Sequence, residues 1–145
     1  MKRMIVSLSV LSLSLMLFAF TQMDTDKDQI TTAVKAFVKS ADQQDVDAMD
    51  KVMHKEYRTL ANQLFGATEL SVINKSAYLD MMKAGKLGGD SRKVKIEEIQ
   101  VIGKNAVVKA KLQGKQLIFE TFIQLVKDAE GEWKVISDLP KIEKV

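Results

Sequence analysis

Gln116 to Val126 reads QLIFETFIQLV, a run rich in β-branched and aromatic residues that is apolar on both faces. That composition predicts a central strand. Outward from it, Val94 to Leu139 divides into stretches of period two, which predict strands pairing around the central one. The more helical first half of the chain then supplies the cover for one face of the sheet.

The neighbouring strands can be registered by charge and size. A two-residue turn at Gly114-Lys115, with Gly first, sets Lys109 opposite Glu120, Ala110 opposite Phe119 and Leu112 opposite Leu117. A turn at Lys104-Asn105 sets Glu98 opposite Lys111 and Val101 opposite Val108. Opposite charges then share one face and apolar pairs the other, each pair contributing roughly 0.2 to 1 kcal/mol. Val94 and Ile96 are out of phase with Ile99 and Val101, which predicts a bulge at Glu97-Glu98 that curls the sheet. Ala129-Glu130-Gly131 has Gly at the left-handed position of a three-residue hairpin, and the last strand runs Trp133 to Leu139. By simple alternation Trp133, Val135, Ser137 and Leu139 share the face of Phe119, Thr121, Ile123 and Leu125, while Glu120 and Asp138 point outward. Pro140 stops that strand and leaves 140–145 as a frayed tail.

Upstream, Thr25 and Asp28 stand at capping-box spacing before an apolar run. Ile30, Val34, Phe37, Val38 and Ala41 recur at helical spacing and predict one buried face. A second short helix is expected to start at Asp45 and to bury Val46, Met49, Val52 and Met53, forming a corner with the first. His54 to Leu64 fits either the end of that helix or an irregular strand. Asn74 caps a third helix that turns Tyr78, Met81 and Met82 inward and ends in Gly85, Gly88 and Gly89.

The first residues carry a different message. Lys2 and Arg3 precede an apolar run from Met4 to Phe20, the pattern of a secretory signal, with cleavage expected after Thr21. The expected organisation is a signal at 1–21, a linker at 22–27, one domain at 28–139 and the tail. The protein is then exported, periplasmic or secreted; an uncleaved signal anchored in the inner membrane is the alternative and the sole expected contact with a membrane. Of 22 cations and 19 anions, Lys2 and Arg3 leave with the signal. A nearly neutral domain is no partner for nucleic acid. There is no Cys, which removes disulfides, thiol nucleophiles and thiolate metal sites. Asp24, Asp26 and Asp28 are spaced like calcium-loop ligands, but Gln29 stands where the loop needs Gly and Lys35 where it needs Glu, so no metal and no cofactor is expected.

Phe37, Asp45 with Met49, His54, Tyr57, the Tyr78 helix, Asn105-Ala106 and Trp133 with Val135 together resemble the nuclear-transport-factor-2-like superfamily. The nearest branch is that of small bacterial "putative lumazine-binding" and polyketide-cyclase-like proteins. The resemblance implies an α+β fold: a cone of a curved antiparallel sheet, four to five strands, against three N-terminal helices, with a pocket at its open end and frequent dimers through the sheet. Isomerases, dehydratases, cyclases and transport adaptors share that fold, so it does not select a function.

Three readings stay open. The first is a non-catalytic domain binding a small apolar or aromatic ligand, or a protein partner, with Tyr78, Thr121, Ser137 and His54 lining the pocket. The second is a small isomerase or hydro-lyase using His54 with Tyr57 or Tyr78, which is weakened because no sheet carboxylate faces inward by the expected alternation. The third is a structural dimer with a filled cone. Val107, Ile118, Phe122 and Ile136 fall on the outer sheet face, with Val107 opposite Phe122, as an apolar patch that a two-fold dimer would cover.

Overall fold

The computed structural model describes residues 25–145. The expected signal lies outside the described residues. Helix α1 occupies 25–43, so the helix already includes residues 25–27, which had been expected to be linker. It buries Ile30, Ala33, Val34, Phe37, Val38 and Ala41, the stripe that its 3.6-residue period requires. Gln44, in the left-handed region at φ 53°, turns the chain into α2 (Val46–Val52). There the Asp45 carboxylate accepts from the Ala48 N–H at 2.9 Å and satisfies one of the free donors of the first turn.

Met53 leaves that helix directly into strand β1 (Met53–Asn62). A 3₁₀ turn, Leu64–Gly66, leads to β2 (Leu70–Asn74), and Asn74 caps α3 (Lys75–Lys83) through the Ala77 N–H. β3 (Lys93–Ile102), β4 (Asn105–Gln113), β5 (Leu117–Lys127) and β6 (Trp133–Lys144) complete one curved sheet in the order β2-β1-β6-β5-β4-β3. The sheet is thus six-stranded and mixed, because β1 runs parallel to β6 while every other pair is antiparallel. β1 is irregular, its register shifting between Met53 and Arg58. Met53 and Tyr57 are both buried while Lys55 between them is exposed, so the usual alternation is interrupted there.

Glu97 is the bulge expected in β3. Both hairpins keep the expected faces but slide by two residues. Gly103, at φ 59°, begins the first turn, so that Glu98 meets Lys109 and Val101 meets Ala106. At the second, Gly114 is not among the positive-φ glycines and cannot open a type II′ turn. A wider loop closes instead through Gly114 N–H to Leu117 C=O, pairing Lys109 with Phe122, Ala110 with Thr121, Lys111 with Glu120 and Leu112 with Phe119.

The larger correction concerns β6. Its pairing with β5 shifts between Gln124 and Leu125, so Ile136 is an extra residue. Before it Trp133 and Val135 are buried in the core. After it the phase is inverted: Asp138 stands opposite the buried Ile123, and Pro140 opposite Thr121. Pro140 does not end the strand either. The pairing of β6 with β1 ends at Asp138, so Pro140 lies where β6 is a sheet edge and its missing N–H is tolerated; Ile142 and Lys144 still pair with Phe119 and Leu117, and the expected tail is sheet.

Candidate functional site

The helices fill one end of the cone and leave the other hollow. A cavity of about 330 Å³ is bounded by Phe37 from α1, Thr59 and Ala61 from β1, Ser71 and Ile73 from β2, Tyr78 and Met81 from α3, and Leu112, Phe119, Thr121, Ile123, Asp138, Pro140 and Ile142 from β4 to β6. Leu64, Phe65, Ala67, Leu87 and Arg92 complete it. Its walls are mostly apolar, with a few polar groups converging from β1, β5 and β6, the usual make-up of a small-molecule site.

Asp138 is the carboxylate among them. The buried Tyr57 hydroxyl donates to its Oδ1 at 3.1 Å and lies 2.7 Å from the Thr59 hydroxyl. The Tyr57 and Thr59 hydroxyls and the Asp138 carboxyl thus form one connected group. Burial pushes the Asp138 carboxyl above its ordinary range, against the opposing pull of these hydroxyls and of Arg92. Burial likewise pushes the phenols of Tyr57 and Tyr78 up, so both are hydrogen-bond donors at any ordinary pH. Phe37, Tyr57 and Tyr78 form a ring cluster with centroids 5.6 to 6.4 Å apart, the two tyrosines edge to face. That cluster fixes where the two hydroxyls sit.

Thr121 lines the cavity, and its Oγ1 is buried without a hydrogen-bond partner among the described residues. Such an orphan costs roughly 1–3 kcal/mol. Being opposite Pro140, Thr121 is the diagonal neighbour of Asp138 on the same face, at a spacing of about 7–8 Å between backbones. A ligand atom has room to meet both.

Of the four residues expected to bind a ligand, the structure brings Tyr78 and Thr121 together at this cavity. His54 does not border it; at the start of β1, its Nδ1 accepts from the Glu56 N–H. Ser137 does not border it either. The Ile136 bulge turns Ser137 to the other face, where its hydroxyl donates to Gln124 Oε1 at 2.6 Å. The same bulge turns Asp138 inward, reversing the expectation that no sheet carboxylate faces the cone. Asp138, Thr59, Ser71 and Arg92 are the polar lining residues not expected from the sequence. A usable signal was present: apolar residues at 133 and 135 give way to Pro140 and Ile142, the same phase switch that marked the bulge in β3.

On the outer face Phe122 is 51% exposed and pairs with Leu139, 43% exposed. Val107, Ile118 and Ile136 are half-buried. Val107 meets Gln124 rather than Phe122, and Gln124 in turn meets Ser137.

Residues 25–139 match the sequence family described as "Putative lumazine-binding". The chain belongs to that family. Among solved structures it is similar to a nuclear-transport-factor-2-like protein of unknown function from Silicibacter pomeroyi, with 17% identity and a TM-score of 0.72 over 83% of this chain and 98% of that one. It is also similar to a nuclear-transport-factor-2-like protein of unknown function from Shewanella baltica, with 16% identity and a TM-score of 0.70 over 82% of this chain and 94% of that one. A ketosteroid isomerase-like protein from Erwinia carotovora atroseptica matches with 15% identity and a TM-score of 0.62 over 80% of this chain and 93% of that one. At these identities what is shared is the fold. No curated protein is similar to the chain at a significant level.

Proposed function

We propose that this protein is an exported domain that binds a small, flat, largely apolar ring compound in the open end of its cone. One observation carries the reading: an apolar cavity of about 330 Å³ that holds a buried, unpartnered Thr121 hydroxyl diagonal to the Asp138 carboxylate. Ring faces pack against Phe119, Leu112 and Ile123, and a polar ring edge meets Thr121, Tyr78 and Asp138. A pteridinedione such as the lumazine of the family's name has this shape, with N–H groups for the carboxylate and carbonyls for the hydroxyls. Export rests on Lys2, Arg3 and the apolar run to Phe20.

A thermal-shift panel of neutral aromatic and heterocyclic compounds, lumazine included, tests the reading. Binders should raise the melting temperature of the wild type and lose their effect in Thr121→Leu, whose added volume occupies the site. A panel without a single binder would remove its support.

A second reading is favoured by Asp138 in particular. A carboxyl pushed up by burial, in the same cavity as the Tyr78 phenol, is suited to taking a proton from carbon while that phenol stabilises the enolate oxygen. His54, outside the cavity, has no part in it. Asp138→Asn should then abolish turnover of any bound enolisable ketone and leave its binding in place.

A further inference from the structure

A second hollow, about 390 Å³, adjoins the cone. It shares Phe65, Leu87, Arg92, Phe119 and Ile142 with the first cavity, so the two meet at the Phe65 ring and at the Arg92 guanidinium stacked 5.2 Å over Phe119. Its other walls are of a different kind, made by Lys86, the Gly88-Gly89 backbone, Asp90, Lys115 and Gln116. Arg92 is already neutralised by Asp42, at 2.6 Å. The Asp90 carboxylate is occupied by the Ser91 and Lys115 N–H groups at 2.7 and 3.2 Å, which hold it below its usual range. The Lys86 and Lys115 side chains are exposed, and the charge of Lys115 also attracts the Asp90 carboxylate. With Arg92 balanced by Asp42, the two lysines outnumber the one remaining carboxylate and leave this hollow with a positive balance.

Its wall is also built in advance. Gly89 N–H donates to the Ala41 carbonyl at 3.1 Å, and Gln44 Nε2 donates to the Leu87 carbonyl at 3.0 Å. Gly88, at φ 80°, lies so close that a Cβ there would overlap the Ala41 carbonyl oxygen. The loop is therefore tied to the end of α1, and little order has to be imposed when something binds against it.

The geometry points to a ligand in two parts, which presupposes the ring site proposed above: a ring in the cone and an acidic group, carboxylate, sulfonate or phosphate, in the adjoining hollow between Lys86 and Lys115. Phe65, 73% exposed although it borders both hollows, lies over the junction. Two solvent-facing cations give modest, salt-sensitive attraction, so the acidic group adds affinity without supplying all of it.

Two fluorescent probes of the same frame separate the parts: neutral N-phenyl-1-naphthylamine and 8-anilinonaphthalene-1-sulfonate. Both should bind competitively, and both should weaken in Thr121→Leu. In the double variant Lys86→Gln, Lys115→Gln the sulfonate probe should lose about three- to tenfold in affinity at low salt, while the neutral probe is unchanged and so reports an intact fold and cone. Raising salt on the wild type should reproduce that selective loss. A double variant that affects neither probe, or both equally, overturns the acidic subsite and leaves the ring site standing. If the neutral probe fails to bind the wild type, the ring site fails and the subsite with it.

Discussion

β5 and β6 build both ends of the cone, yet the two ends hold carboxylates of opposite character. At the closed end Leu125, Val135 and Trp133 pack against α1, and Asp26 of α1 accepts from Lys127 Nζ at 2.7 Å and from Trp133 Nε1 at 3.2 Å. The Lys127 hydrogen bond outweighs burial and holds the Asp26 carboxyl below its usual range. At the open end, one extra residue further along β6, Asp138 faces the cavity with hydroxyl groups as its bonded partners, and burial holds it above that range. A paired charge ties a helix to a sheet. An unpaired one in a cavity is costly in the free protein and useful to a ligand.

Truncation should separate the two ends most strongly. Leu125→Ala, at a site 1% exposed, should cost about 3 kcal/mol by urea unfolding, because the filled end cannot collapse around the gap. Substitution of the two carboxylates should give effects of opposite sign. Asp26→Asn should destabilise by about 1 kcal/mol at neutral pH. A depressed carboxyl stabilises the fold above its unfolded pKa and loses that contribution as the pH falls through its folded value, so the difference from wild type should fade in acid. Asp138→Asn should stabilise by up to about 1 kcal/mol at neutral pH. A raised carboxyl contributes fully below its unfolded pKa and loses that contribution as the pH rises through its folded value; Asn carries no such loss, so this gain should also vanish in acid. Unfolding of both variants from pH 3 to 8 checks the pair. The smallest net effect belongs to Thr121→Leu, at a buried site, where relief of the orphaned hydroxyl's cost is offset by the strain of the added volume, leaving stability within about 0.5 kcal/mol of wild type.

The closed end was legible in the sequence because regular periods make it: the α1 stripe from Ile30 to Ala41, the short helix beginning near Asp45, and the alternation through Trp133 and Val135. The open end depends on departures from regularity. Alternation continued through Ile136 places Ser137 inside and Asp138 outside, and one unpaired residue reverses both. Met53 continues the apolar series of α2 from Val46, Met49 and Val52, which hides where β1 begins, and no residue type marks the parallel pairing of β1 with β6. Even the hairpin slips follow from backbone angles at Gly103 and Gly114 that residue type alone leaves open. Slips by two preserve every face, so the architecture was legible where the individual pairs were not.

The account stands on Asp138 pointing into an apolar cavity, and its own titration tests that most directly. Carbon-13 NMR of the Asp138 side-chain carboxyl, assigned by its loss in Asp138→Asn, should show a midpoint above the ordinary aspartate value of about 3.9. A midpoint at or below that value would mean a solvated or cation-paired group on the outer face, and would contradict the inverted phase of β6.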